Sequence, residues 1–364
     1  MLALAISGGL AYWLISSSLR GRPAEQGAPS AAVTSAPSAG GTLAVSSHMD
    51  FKCTLPVIAY SRRIRIELPA GAVTVDGPQL FERTGSNQSS YVNRRWLPVP
   101  ISWVSPDRRS YASVMAVRGG PDEQALLLTD LRTGKQRQLW KGTGPVGVIG
   151  WGVDGLYFML QPPSSKEDRG QTDLWVVDPA DPASARRIGT SAPTSAGSLD
   201  RVLFSSDARV AGDAAWQTRP GAGTAGDSVE RIDLRSGNIS VWYTAPSNTR
   251  VFVLGFDGQS RPALAVYNSD ASSTKGLLFL TGPNQTASIA EAFSGSDRFA
   301  SAFSDSRGIW FGSAGSLWLY RSGSFFKVAD VPVGPVGAET PMPIANAEGG
   351  TSVLPPPVVV GPCI

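Results

Sequence analysis

The chain has 364 residues, with 40 Gly, 28 Pro and 10 Trp, a composition typical of short strands joined by tight turns and packed through aromatic side chains. Its 32 Lys and Arg nearly balance 29 Asp and Glu, without any long basic run, so we expect no nucleic-acid-binding surface. The one histidine, His48, precedes the first predicted strand, which excludes imidazole-dependent hydrolase and metal chemistry from the predicted folded body. The sequence predicts neither a cofactor nor a metal site.

The first predicted element is the uncharged and mostly apolar segment Leu2–Leu19, which Arg20 and Arg22 follow. A helix of about 18 residues spans roughly 27 Å, close to the roughly 30 Å of a bilayer core. Residues 1–20 therefore fit a cleaved signal peptide or a membrane anchor, and the lack of a clear cleavage site favours the anchor. Basic residues only after the segment would place the body in the cytoplasm, so we expect Met1 to be an interior methionine of a longer reading frame.

Residues 21–50 form the second predicted region, a linker rich in Ala, Pro, Ser and Gly. Because the segment has almost no large apolar side chains, it buries too little surface to fold, and we predict that it is disordered. About 25 such residues span roughly 25–30 Å, which is enough to hold a folded body away from a membrane surface.

Residues 51–364 form the third predicted region, in which short apolar strands alternate with polar hairpin turns. The six turns are Glu67–Gly71, Asp130–Gly134, Asp178–Asp181, Asp233–Gly237, Thr281–Asn284 and Arg321–Gly323. From the second turn onward they recur roughly every 40–55 residues, close to the length of one four-stranded propeller blade. The repeat predicts an all-β fold, a six-bladed β-propeller, with seven blades as the alternative.

A second series of turns precedes the hairpins and predicts the inner strand pair of each blade. Its members are Trp103–Asp107, Trp151–Gly155, Phe256–Gly258 and Phe303–Gly308, with the looser Phe204–Asp207 among them. These turns place five complete blades at residues 98–328. We expect the sixth blade to be shared, with outer strands from Leu55–Asp76 and an inner strand from Thr351–Pro362.

The two cysteines lie at opposite ends of the predicted body. Cys53 begins the first predicted strand, and Cys363 is the penultimate residue of the chain. Since the first and last segments of a propeller meet in one blade, the two sulfur atoms can approach closely enough for a disulfide. The alternative is two unrelated buried thiols. A disulfide would indicate an oxidising compartment.

Several motifs resemble known propeller proteins. Ser105–Asp107, with Leu126–Gly134 behind it, is similar to the blade pattern of the six-bladed propeller in TolB-like proteins. Four more specific motifs are Cys53–Val57, Arg95–Pro100, Gly308–Gly312 and Gly361–Cys363. Together they resemble a family of uncharacterised bacterial membrane-anchored propeller proteins over most of residues 51–363. The resemblance implies a propeller, an anchor and pairing of the end cysteines, and it implies no catalytic residue.

Long connections between strands form the predicted binding face, because loops on a rigid scaffold commonly carry binding residues. The two loops that stand out are 161–173 and 217–228. We predict ligand contacts, with solvated loop tips as the alternative, for Lys166, Glu167, Asp168, Arg169, Arg219, Asp227 and Trp216. Tryptophans beside the inner strands, Trp103, Trp151, Trp216 and Trp310, either line the channel mouth or pack between blades.

We therefore predict a single-pass membrane protein whose propeller lies outside the cytoplasm, or a secreted propeller if residues 1–20 are cleaved. It would be a monomer that acts as a non-catalytic binding or protein-interaction module. Its partners would be the membrane, through the N-terminal helix, and an envelope protein or a glycan ligand. The alternative is a secreted carbohydrate-active enzyme with carboxylates at the propeller mouth, for which the sequence identifies no catalytic residue.

Overall fold

The structure is a computed structural model that describes residues 38–59, 61–78, 89–117, 123–161, 172–190, 208–268, 274–291, 298–313, 315–331 and 356–364. These residues belong to one compact unit, Ala36–Ile364. Their secondary structure consists of β-strands and one short 3₁₀ turn, Ile101–Trp103, so the predicted all-β class is confirmed for the described part of the chain. The predicted anchor and the first part of the predicted linker, residues 1–37, lie outside the described residues.

The strands are short, and their apolar residues alternate with polar ones or run continuously, as in sheets that pack on one or both faces. In chain order they are β1 (Ser38–Thr42), β2 (Cys53–Ala59), β3 (Arg62–Leu68), β4 (Ala72–Pro78), β5 (Ser90–Val92), β6 (Arg95–Leu97), β7 (Ser110–Ala116), β8 (Glu123–Asp130), β9 (Gln136–Thr143), β10 (Val146–Gly152), β11 (Gly155–Leu160), β12 (Asp173–Asp178), β13 (Asp181–Thr190), β14 (Arg209–Ala211), β15 (Ala214–Arg219), β16 (Ser228–Asp233), β17 (Ile239–Thr244), β18 (Thr249–Phe256), β19 (Pro262–Asn268), β20 (Thr274–Gly282), β21 (Gln285–Glu291), β22 (Ser301–Asp305), β23 (Gly308–Ser313), β24 (Ser316–Arg321), β25 (Ser324–Asp330) and β26 (Val358–Val359).

The strands form antiparallel sheets, and most sheets use strands that follow one another along the chain. Sheet 2 contains β7 to β9, sheet 3 contains β10 to β13, sheet 4 contains β14 to β17, sheet 5 contains β18 to β21 and sheet 6 contains β22 to β25. Strands β5 and β6 form a separate hairpin before sheet 2. Sheet 1 is the exception, because its strand order is β1-β4-β3-β2-β26 and so combines the two ends of the described chain.

Several neighbouring sheets contact each other through their innermost strands. Strand β10 contacts β14, β18 contacts β22, and β22 in turn contacts β26 of sheet 1. The buried apolar clusters follow the same order, because each large cluster joins side chains of two neighbouring sheets. Sheets that pack face to face in chain order around their first strands form a β-propeller.

All six predicted hairpin turns join consecutive strands at the predicted positions, so these predictions are confirmed. Asp130 and Asp233 begin two of the turns, and each carboxylate accepts backbone N–H bonds from the turn that it begins. These hydrogen bonds favour the charged form of each carboxylate and so lower its pKa. The N–H of Thr133 contributes most to the lowered pKa of Asp130, and the hydroxyl of Ser236 contributes most to that of Asp233.

Sheet 1 joins the two ends of the body as predicted, because β26 pairs with β2. In sheets 3 to 6 a tight turn connects the first strand to the second strand. In sheet 1 the disulfide between Cys53 and Cys363 takes the place of that turn, with the two Cα atoms 5.4 Å apart. Backbone hydrogen bonds run in both directions between Thr54 and Ile364 beside it. The predicted disulfide is confirmed.

Residues 38–50, which we name the strap, are part of the folded body. Strand β1 pairs with β4 at the outer edge of sheet 1, and Val45 forms a bridge with Ala329 of sheet 6. The body therefore begins before the predicted boundary at residue 51, and the second half of the predicted linker is ordered. A segment with few large apolar residues gains this order by hydrogen-bonding to an existing sheet edge, which it also protects from other chains.

Side chains at the end of the strap hold it against sheet 6. The carboxylate of Asp50 forms an ion pair with Arg321. The imidazole of His48 lies against the ring of Phe326, with the ring centroids 5.3 Å apart. The histidine that the sequence places outside the folded body therefore contacts it.

Two further details differ from the predicted blades. In sheet 2 the described residues supply three strands, and the position of the innermost strand is held by Val104, which forms an isolated bridge to Tyr111. The 3₁₀ turn just before Val104 replaces extended backbone there. In sheet 4 the turn between the first two strands lies between Ala211 and Ala214. The turn was predicted further upstream, at Phe204–Asp207, and those four residues lie outside the described residues.

Tyr267 provides a measurable signature of the core between sheets 5 and 6. Its hydroxyl donates to the backbone carbonyl of Phe299, and burial raises the pKa of Tyr267 to about 12. The buried phenol therefore stabilises the fold fully below the ordinary pKa of about 10, and this contribution is lost as the pH rises through about 12. In a phenolate absorbance titration we expect a late ionisation step that is absent from Tyr267→Phe, whereas an unchanged titration curve would contradict this placement.

Candidate functional site

The sheets have two kinds of ends. The turn face carries the tight turns within sheets 3 to 6, and the loop face carries the connections between second and third strands and those from sheet to sheet. The predicted ligand loops 161–173 and 217–228 cover the connections between second and third strands and so belong to the loop face. The structure corrects the bounds of the second loop, because β15 continues to Arg219 and β16 begins at Ser228. The predicted contacts Lys166, Glu167, Asp168 and Arg169 lie outside the described residues, and their role stays a prediction.

Arg219 is the last residue of β15, at the loop face of sheet 4. Its Nη1 atom lies 2.7 Å from Oε1 of Glu230 on the neighbouring strand β16. The amide of Gln217 donates to the other oxygen of the same carboxylate at 2.8 Å. The Glu230 side chain is 2% exposed and the Arg219 side chain 32%. A buried carboxylate thus holds a partly exposed guanidinium group in one orientation.

Asp227 closes the loop between β15 and β16. Its buried carboxylate accepts hydrogen bonds from the backbone N–H groups of Gly221 and Val251. It also accepts one from Nη1 of Arg250, the second residue of β18, at 3.1 Å. With its oxygens engaged in this way, Asp227 has a structural role here, and ligand contact by this residue stays a prediction. The group that reaches solvent is Arg250, which no sequence pattern singled out.

A third pair of this kind lies at the loop face of sheet 3. Asp173 is the first residue of β12 and is buried, whereas Arg187 on β13 is exposed. The Nη1 atom of Arg187 lies 3.7 Å from Oδ2 of Asp173, a distance typical of an ion pair and longer than a hydrogen bond. Sheets 3, 4 and 5 therefore each present at the loop face an arginine that forms an ion pair with a buried carboxylate.

The tryptophans beside the inner strands pack between sheets. Trp216 is 4% exposed and meets the ring of Trp242 edge to face, with centroids 5.0 Å apart. Trp310 is fully buried, and the indole of Trp151 donates to the backbone carbonyl of Trp103. The structure thus gives these rings the packing role that was the alternative to a channel mouth, and ligand contact by Trp216 stays a prediction.

The turn face of sheet 3 carries a shallow, mostly polar depression of about 580 Å³. Its lining includes Asp154, Asp178 and Arg186. A guanidinium nitrogen of Arg186 lies 3.6 Å from the Asp154 carboxylate, and Asp178 accepts a hydrogen bond from the backbone N–H of Ala180. Both carboxylates are engaged in local contacts that stabilise the turns.

A carboxyl group that acts as a general acid usually has a raised pKa. Where the pKa of a described carboxyl group is shifted, the direction is downward, because hydroxyl and backbone groups donate hydrogen bonds to the charged form. These residues are Asp107, Asp130, Asp233 and Asp330. Within the described ranges, no three His, Cys, Asp or Glu side chains are grouped closely enough to hold a metal ion. The same ranges contain no helix long and apolar enough to cross a membrane.

No protein-family model matches this chain, and no curated protein matches it. Similar solved structures include an acylaminoacyl peptidase in complex with Z-Gly-Gly-Phe-chloromethyl ketone, at 13% identity and a TM-score of 0.45, over 74% of this chain and 41% of the peptidase. TolB from Acinetobacter baumannii is similar at 12% identity and a TM-score of 0.39, over 79% of this chain and 65% of TolB.

An oligogalacturonate lyase in complex with manganese is similar at 13% identity and a TM-score of 0.40, over 74% of this chain and 83% of the lyase. This chain spans less than half the length of the acylaminoacyl peptidase, 41% of it. Similarities with TM-scores below 0.5 assign neither an activity nor a ligand to this chain. The sheet topology and the order of the contacts between sheets are what identify a β-propeller.

Proposed function

We propose that this protein is a six-bladed propeller that binds a ligand or a partner protein at its loop face and catalyses no reaction. In this proposal sheets 1 to 6 are the six blades, and the β5–β6 hairpin fills the space between blades 1 and 2. The hairpin is joined to blade 1 by the indole of Trp96, which donates to Asp76 at 2.8 Å. Its own apolar residues pack on blade 2, which favours six blades over seven.

The observation that carries the proposal is the set of arginines at the loop face. Arg187, Arg219 and Arg250 each have a buried carboxylate behind them and donors left over for a ligand. A guanidinium group with a fixed orientation loses little side-chain entropy on binding, which strengthens recognition of carboxylates and hydroxyl groups. Such a face suits a binding module whose scaffold stays rigid.

The disulfide supports a location outside the cytoplasm. Disulfides persist in oxidising compartments and are rare in the cytosol, and this one joins the two ends of the folded body. We place the propeller on the outer side of a cell membrane, held there by residues 1–20 or released if that segment is cleaved. Its partner in this setting is an envelope protein or a glycan.

The loop face is tested by comparing two triple variants of the full-length, oxidised protein on glycan and peptide arrays. Arg187→Lys/Arg219→Lys/Arg250→Lys keeps a positive charge beside each buried carboxylate and removes the planar fork of donors. The matched control, Arg109→Lys/Arg132→Lys/Arg235→Lys, changes three exposed arginines of the turn face. We expect the loop-face triple to weaken the best array interaction at least about tenfold, and the turn-face triple to leave it unchanged.

Thermal unfolding of both triples confirms that each variant folds, because the lysines continue to neutralise the buried carboxylates. The opposite pattern, with binding lost only in the turn-face triple, would overturn the proposal. A wild-type protein that binds nothing on either array would overturn it as well.

A further inference from the structure

We propose that the depression at the turn face of sheet 3 binds an arginine side chain of a partner protein. This inference goes beyond the proposed function, because it adds a second site at the other ends of the sheets and for a different chemical group. Its starting point is a comparison of sheets 3 and 4, which share one arrangement of aspartates at the turn face.

Both sheets place an aspartate in the turn between their first two strands. The turns are 152–155 in sheet 3 and 211–214 in sheet 4, and in each the first residue pairs with the fourth. The third residue is Asp154 in one turn and Asp213 in the other. These two aspartates therefore occupy equivalent positions.

A second aspartate lies beside each turn, at the end of the third strand. In sheet 4 it is Asp233, which pairs with Ala214, the last residue of the turn. In sheet 3 it is Asp178, since a Cβ atom at Gly155, the last residue of that turn, would lie 3.2 Å from the Cα atom of Asp178. Each sheet thus presents a pair of carboxylates on neighbouring strands.

In sheet 4 an arginine of the protein joins the two carboxylates. Arg231 lies on β16, two positions before Asp233. Its Nη2 atom is 2.9 Å from Oδ1 of Asp213, and its Nη1 atom is 3.7 Å from Oδ2 of Asp233. The guanidinium carbon lies 5.5 Å from the ring centroid of Trp242. The planar fork of this guanidinium group therefore spans both carboxylates.

Sheet 3 has a valine at the position of this arginine. Val176 pairs with Tyr157 of β11, as Arg231 pairs with Trp216 of β15. Its side chain is too short to reach between the carboxylates. The depression of about 580 Å³ lies at this place, and its lining includes Val176 and both aspartates of sheet 3. The depression thus corresponds to the space that the arginine fills in sheet 4.

Each aspartate of sheet 3 keeps one oxygen available for a ligand. Oδ1 of Asp178 accepts the backbone N–H of Ala180. Oδ2 of Asp154 accepts from the hydroxyl of Tyr157 at 3.5 Å and lies 3.6 Å from Nη2 of Arg186. Within the described part of the chain, no hydrogen bond or ion pair engages the other oxygen of either aspartate. A ligand at these two oxygens leaves the Arg186 ion pair intact.

A guanidinium group fits this pair of oxygens best, because two of its N–H donors can reach two carboxylates, as Arg231 does in sheet 4. An ammonium group is a point charge without that fork. Val153, also in the lining, is 59% exposed and offers an apolar contact to the methylene groups of an arginine. The depression is too shallow to enclose most of a small molecule, as small-ligand sites do, which favours a side chain carried by a larger partner.

The test uses the full-length, oxidised and isotope-labelled protein, with binding followed by nuclear magnetic resonance at the backbone N–H groups of residues 153–155 and Ala180. The probes are a blocked tripeptide with a central arginine, the same tripeptide with a central lysine, and methylguanidinium. We expect the arginine tripeptide to shift these signals and to bind at least about fivefold more tightly than either other probe.

Three variants place the site. Asp178→Asn keeps the shape of an exposed side chain and removes its charge, and we expect it to weaken binding of the arginine tripeptide at least about fivefold. Asp233→Asn is the matched control, because Arg231 already occupies the equivalent pair, and binding should not change. Arg231→Val should create a second site in sheet 4, with new shifts at residues 212–214. Thermal unfolding confirms that each variant folds.

Four results would overturn the inference. One is that the arginine tripeptide shifts none of the signals near the depression. A second is equal affinity for the lysine tripeptide, which would show that only charge is recognised. A third is equal affinity for methylguanidinium, which would assign the site to free guanidinium compounds. A fourth is the same loss of affinity in Asp178→Asn and Asp233→Asn, which would place the binding outside the depression.

Discussion

Replacing Cys53 and Cys363 together by serine is expected to lower the free energy of unfolding by several kcal/mol. The disulfide links residues 310 positions apart, and the chain-entropy model gives about 5–6 kcal/mol for a loop of that size as an upper bound. The effect is large because the bond takes the place of the turn that connects the first and second strands in the other sheets. Urea unfolding of the wild type and of the double variant measures the difference.

Dithiothreitol provides the control for this comparison. The chain has only these two cysteines, so the reductant should lower the stability of the wild type to that of the double variant and should not affect the variant. Equal unfolding free energies for the oxidised wild type and the double variant would show that the bond does not hold the two ends of the body together.

Gly312→Ala is the second substitution with a large expected effect, since it disturbs the packing of the C-terminal strand β26 against sheet 6. A Cβ atom at Gly312 of β23 would lie 1.7 Å from the backbone oxygen of Pro357. Residues just after Pro357 form β26, so the clash would push that strand away from sheet 6. We expect a loss of about 1–3 kcal/mol in the free energy of unfolding, as for other overpacked sites. Hydrogen exchange of residues 356–364 should also become faster.

Gly147→Ala is the matched control. Gly147 is also a strand glycine, in β10, and a Cβ atom there would meet nothing within 4 Å. Alanine restricts the unfolded chain more than glycine does, so this change should be neutral or slightly stabilising. If both variants lost the same stability, the clash at Pro357 could not be the cause.

The sequence predicted those parts of the fold whose chemistry is local. The hairpin turns that begin at Asp130 and Asp233 end in Gly134 and Gly237, whose φ angles are +70° and +73°. Both the carboxylate that binds the turn and the glycine that permits its backbone are visible in the sequence. The shared sheet was also predictable, because the two cysteines mark the residues that must meet.

The parts that were missed depend on partners far away in the sequence. The strap residues 38–50 resemble the linker before them, and their order comes from the free edge of β4 and from Ala329 of sheet 6. The short innermost segment of sheet 2, at Val104, likewise follows from packing against its neighbours. No local pattern distinguishes either case from an ordinary loop or an ordinary strand.

The two conspicuous loops do connect second and third strands, as the repeat predicts, whereas most of the polar groups described at that face were not identified. Arg219 was predicted because the sequence places it within a conspicuous loop, although the structure places it at the end of β15. Arg250 and Arg187 were not, because each meets its carboxylate across strands, at positions fixed by register and by a register shift after Leu174. Asp173 had no special signal, because its ion pair with Arg187 forms between two strands.

The closure of the propeller by its two ends is tested most directly by peptide mapping without reduction. Protein produced in an oxidising compartment is digested, and its peptides are identified by mass spectrometry. The structure predicts that the peptide with Cys53 is linked to the peptide with Cys363 and that reduction separates the two. A folded, binding-competent protein with two free thiols, or with a bond between two separate chains, would contradict it.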